Sequence, residues 1–104
     1  FTPHSCPCAI VELEADWPAP LGGQFIVARF GNLISQSGGY DLLRLKLYFA
    51  AGTAETHELI SPLGRPIALV KLSGHRLLIA EYTRGTTLGA GLSTPGRLLI
   101  LEPK

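Results

Sequence analysis

A chain of 104 residues suits one domain, and only 16% of its residues are charged against 46% hydrophobic, where a soluble domain usually carries about 25% charged residues. The net charge is +1, with nine Lys/Arg scattered along the chain against eight Asp/Glu, which excludes a clustered basic footprint for nucleic acid. No apolar stretch approaches the roughly 20 residues of a membrane-spanning helix, and "FTPHSCPCAIVEL" has no basic region followed by an apolar block, so no signal peptide is visible, although one already removed would leave no trace.

Period-two alternation dominates the chain, and no segment sustains a helical period. Residues 1–22 are proline-rich and read as an irregular arm carrying one edge strand, "AIVELEA" (9–15). The antiparallel β-domain then runs from 23 to 104. "GQFIVARF" (23–30) is rich in β-branched and aromatic residues. In "LLRLKLYFA" (42–50), Leu43, Leu45, Leu47 and Phe49 face one way and Arg44, Lys46 and Tyr48 the other. "HELIS" (57–61) and "PIALVKL" (66–72) flank the turn "PLGR". "HRLLIAEY" (75–82) follows Ser73-Gly74, a hairpin pair. "RLLILE" (97–102) is the last strand. The expected fold is all-β: an antiparallel meander curled into a small or incomplete β-barrel, with a β-sandwich as the alternative. Strands 66–72, 75–82 and 97–102 are apolar on both faces, whereas an open antiparallel sheet normally keeps one wet face.

Candidate chemistry is sparse. His4, Cys6 and Cys8 offer three soft ligands to zinc or copper, but a structural zinc site uses four, with cysteines at C-x₂₋₄-C spacing. No metal or other cofactor is therefore assigned; free thiols, or thiols bonded to another chain, explain the pair equally well. Acylation of Cys6 is left open, because Pro3-His4-Ser5 lacks the apolar and small residues expected before a lipidated cysteine. Glu55, His57 and Glu58 sit together near a turn and read as solvated side chains. There is no G-x-S-x-G elbow and no phosphate loop, so the chain is not expected to be an enzyme.

One stretch carries a resemblance. "QFIVARFGNL", then "LRLKLYFAAGTAETHELISPLGRPIALVKLSGHRLLIAEY", resembles over residues 25–82 the LolB-type outer-membrane lipoprotein receptors of Gram-negative bacteria, in the LolA–LolB superfamily, through alternating strands that lead into L-x-x-P-L-G. The resemblance implies an envelope protein, periplasmic or on the periplasmic face of the outer membrane, that shelters acyl chains in an apolar concavity and delivers lipoproteins to the bilayer. It implies a membrane-inserting turn of Pro62, Leu63, Gly64 and Arg65. Leu63 would project into solvent, unless it folds back over the barrel mouth. Phe25, Val27, Leu45, Leu47, Phe49, Leu69, Leu77 and Ile79 would line the concavity, with lipoprotein acyl chains or membrane lipid as partners. Family members are much longer and carry helices over the barrel mouth. The alternative function is a small β interaction domain with a protein partner and no lipid ligand, docking through edge strands and the turns at 62–65 and 88–95.

Overall fold

The structure, a computed structural model, describes residues 5–32, 39–84 and 94–103. Seven strands account for its regular structure: β1 (Pro7–Glu12), β2 (Phe25–Arg29), β3 (Asp41–Tyr48), β4 (Thr53–Ile60), β5 (Pro66–Leu72), β6 (Arg76–Thr83) and β7 (Pro95–Leu101). They form two antiparallel sheets, β1-β2-β3-β4 and β5-β6-β7. The fold is all-β, and among the described residues the two sheets do not close into a barrel.

Alternation decides which side chains meet. Ile26, Ala28 and Leu42 face inward from the first sheet, and Leu69, Leu77 and Ile79 meet them from the second. β5 lies against β1 and β2. The segment after β1 joins this core rather than hanging from it, because Leu13, Trp17 and Leu21 are buried there. Fully burying side chains of this size is worth about 1.5–3 kcal/mol each.

Polar pairs close one seam between the sheets. Glu14 accepts hydrogen bonds from Lys71 and, at 3.0 Å, from the Trp17 indole. His75 Nε2 lies 3.2 Å from Asp16, and its ring is tilted against Trp17. The Lys71 ammonium, then backbone and indole N–H donors, lower the Glu14 carboxyl to about 2. The Cα trace measures 43 × 31 × 17 Å. A thickness of 17 Å suits two sheets about 10 Å apart, and among the described residues no further strand or helix lies over the outer faces.

Candidate functional site

The turn expected to project into solvent does not project. Leu63 is only 7% exposed and belongs to the core. Its N–H donates to the Tyr40 carbonyl at 2.7 Å. The Gly64 N–H donates to the Glu81 carboxylate, and a Cβ at Gly64 would run into the Thr83 carbonyl and Arg84. The Arg65 N–H donates to Thr83 O at 3.0 Å, and Tyr82 N–H to Arg65 O at 2.7 Å. Of the four residues only Pro62 is exposed.

Arg65 is the largest fully buried side chain of the described residues. Its guanidinium lies between the rings of Phe30 and Tyr40, 4.9 and 5.0 Å from their centroids. It donates to the Asn32 carbonyl at 3.1 Å and to the Tyr40 hydroxyl at 3.3 Å. Such cation–ring contacts contribute about 0.5–2 kcal/mol. These donors and rings correct the membrane-insertion assignment: they fix the 62–65 segment as an internal tie between the sheets, and neither Leu63 nor Arg65 can reach a bilayer surface from there.

The supposed acyl-chain lining also divides. Leu69, Leu77 and Ile79 are in the packed core between the sheets. Phe25, Val27, Leu45 and Leu47 lie on the opposite, outer face of the first sheet, because they alternate with the inward Ile26 and Ala28 and pair as Phe25↔Leu45 and Val27↔Leu43. Phe49 lies past the end of β3 and is 84% exposed. The eight residues therefore do not share one concavity. What the outer face of the first sheet does have is a shallow hollow of about 400 Å³, bordered by Cys8, Ile10, Val27 and Leu45. On the same face Arg29 and Asp41 make a buried, two-pronged ion pair, with Nε to Oδ1 at 2.7 Å and Nη2 to Oδ2 at 2.5 Å. Hydrogen bonding to Asp41 raises the Arg29 pKa further.

The other candidates fall in separate places. Glu55, His57 and Glu58 are exposed on β4, with His57 Nε2 3.5 Å from Glu55. Residues 85–93 and His4 lie outside the described residues, so most of the turn at 88–95 does too. Cys6 and Cys8 are free thiols with their sulfurs 3.9 Å apart. Burial, then the hydrogen bond and charge of Cys6, push the Cys8 thiol up, against a lowering by the Phe30 backbone.

The outer face of the second sheet is the feature that sequence reasoning left unassigned. Leu77, Ile79, Glu81 and Thr83 of β6 point inward and are all buried. Their neighbours point out. Register places Val70, Leu78 and Ile100 in one cross-strand row, and Ala68, Ala80 and Leu98 in the next. Tyr82 lies one step further along β6. Val70 is 50%, Tyr82 49%, Leu98 69% and Ile100 55% exposed. Arg76, at one end, is the only charged side chain on this face of the three strands. Among the described residues β7 is hydrogen-bonded in the sheet to β6 alone. The alternation of apolar residues on both sides of β5, β6 and β7 was visible in the sequence; that one side stays open was not. Comparison with family models, curated proteins and solved structures finds no match.

Proposed function

We propose that the chain is a small β interaction module whose outer face on β5–β7 docks against the same face of a second copy. The observation that supports this reading is the row structure of that face. Val70, Leu78 and Ile100 form a ridge, and Ala68 and Ala80 beside them form a trough that deepens away from Leu98. A two-fold axis between the rows seats each ridge in the other copy's trough, as inner faces interdigitate in sandwiches. The same axis carries the two Arg76 side chains to opposite ends, so like charges stay apart.

Area sets the strength. Three strands spaced about 4.8 Å and seven residues rising about 3.4 Å give each face about 340 Å² in projection. Two faces with corrugated side chains then bury on the order of 1,000 Å², the lower bound for a specific interface. An interface of that size is of the weak, transient kind. An acyl chain is the poorer occupant, because the leucine that would deliver it is held inside the core.

Sedimentation equilibrium tests the reading. Wild type should form a dimer whose fraction rises with concentration, and Leu98→Glu should remain monomeric at tenfold higher concentration with unchanged far-ultraviolet circular dichroism. A wild-type monomer at millimolar concentration would overturn self-docking. So would flotation with phosphatidylglycerol-containing vesicles that Leu98→Glu abolishes while wild type stays monomeric.

A further inference from the structure

We propose that Cys6 and Cys8 form a two-thiolate site for a soft monovalent metal ion of the copper(I) kind. The inference is independent of the docking face, which lies on the other sheet.

The local backbone departs from a regular strand in two ways, and both bring these sulfurs together. Cys6 has φ of 51°, a left-handed conformation that non-glycine residues seldom adopt. The pairing of β1 with β2 then shifts register between Pro7 and Ala9, so that Cys8 is the extra residue of a bulge. The N-terminal side is anchored by two hydrogen bonds, and the far side by the pairing of Ala9 with Ala28. The Phe30 N–H donates to Cys6 O and the Gly31 N–H to Ser5 O, each at 2.9 Å. The result is a sulfur–sulfur distance of 3.9 Å, with Cys8 exposed and Cys6 half-buried.

That distance suits one metal ion between the sulfurs. With metal–sulfur bonds of about 2.3 Å, two thiolates stand ~3.8 Å apart at a tetrahedral angle and ~4.6 Å apart when collinear. The observed pair starts near the closed end of this span, and rotation of the exposed Cys8 side chain opens it. A direct disulfide instead needs the sulfurs to close to about 2.05 Å across a single proline.

The donor set chooses the ion. Among the described residues no group of three or more His, Cys, Asp or Glu converges, so these residues offer a metal two sulfurs rather than the four ligands of tetrahedral zinc. Thiolates are soft donors that favour copper(I), and copper(I) is stable with only two of them. Binding is a plain exchange. Each S–H bond breaks and an S–Cu bond forms, two protons leave to solvent, and the copper keeps its oxidation state. Ile10, Val27 and Leu45 give the hollow beside Cys8 an apolar wall.

The test uses the full reduced chain, with copper(I) supplied as its acetonitrile complex and competed against a chromophoric copper(I) chelator. Wild type should take one equivalent, unchanged on tenfold dilution of the protein. X-ray absorption should show two sulfur neighbours. Cys6→Ser and Cys8→Ser should each lose at least 100-fold in affinity, with circular dichroism unchanged. Retention of one equivalent by the Cys6→Ser/Cys8→Ser double variant would overturn the proposal. So would a four-coordinate spectrum, or zinc(II) held more tightly than copper(I).

Discussion

The segment 62–65 and strand β7 treat their leucines in opposite ways. Leu63 sits in a turn, yet its N–H is tied to Tyr40, its neighbour Gly64 to Glu81, and Arg65 to two aromatic rings. Leu98 sits in a regular strand with a full ladder to β6, yet its side chain meets no opposing layer and is 69% exposed. Backbone regularity therefore says little about burial here. What counts is whether another element of the chain lies above the side chain. The edge strands β4 and β7 differ in the same sense. β4 carries Glu55, His57 and Glu58 along its exposed length, which protects an edge against pairing. β7 reads Leu-Leu-Ile-Leu after Arg97 and has little such protection.

The sharpest way to break this contrast is to put the same charge at both leucines. Leu63→Glu places an unpaired carboxylate in the core and should leave the chain unfolded at 25 °C. The milder Leu63→Ala should cost about 2–5 kcal/mol in urea denaturation. Next in size is the buried pair of the first sheet. Asp41→Ala leaves the Arg29 guanidinium without its carboxylate and should cost about 3–5 kcal/mol, whereas Arg29→Met combined with Asp41→Leu should come out close to wild type. A double variant as damaged as the single would show that the pair does more than satisfy its own charges.

Leu98→Glu should change monomer stability by no more than about 0.5 kcal/mol, in contrast to Leu63→Glu, while abolishing association. The smallest effect concerns pH. Glu14 is lowered to about 2 in the folded chain from an ordinary 4.5. A depressed carboxyl stabilises the fold above its unfolded value, and that contribution fades as pH falls from about 4.5 towards 2. Glu14 is exposed, so the contribution is small. Glu14→Gln should flatten the thermal-stability profile over that window, with a small loss of stability at pH 7 and none near pH 2.

Much of the architecture was legible in the residues. The alternation of Leu43, Leu45 and Leu47 gives β3 its two faces, and Ser73-Gly74 marks the β5–β6 hairpin. The site was not legible, for two physical reasons. The fate of Leu63 depends on Tyr40, Glu81 and Thr83, which are remote in sequence and approach only through the fold. The doubled apolar pattern of β5, β6 and β7 is the same whether the second face is covered or open, because alternation encodes sidedness and not what lies opposite. Strand β4 began four residues earlier than its pattern suggested, since Thr53–Thr56 is held by pairing with β3 and has no apolar face of its own.

Concentration-dependent hydroxyl-radical footprinting addresses the docking face most directly. On raising the protein from well below to well above the association range, oxidation at Tyr82, Leu98 and Ile100 should fall several-fold, while Phe49 and Ile10, also exposed in the monomer, stay unchanged. Protection centred on Phe49 or Ile10 instead, or undiminished oxidation of Leu98 and Ile100 in a sample shown to be dimeric, would contradict the assignment of β5–β7 as the surface that pairs.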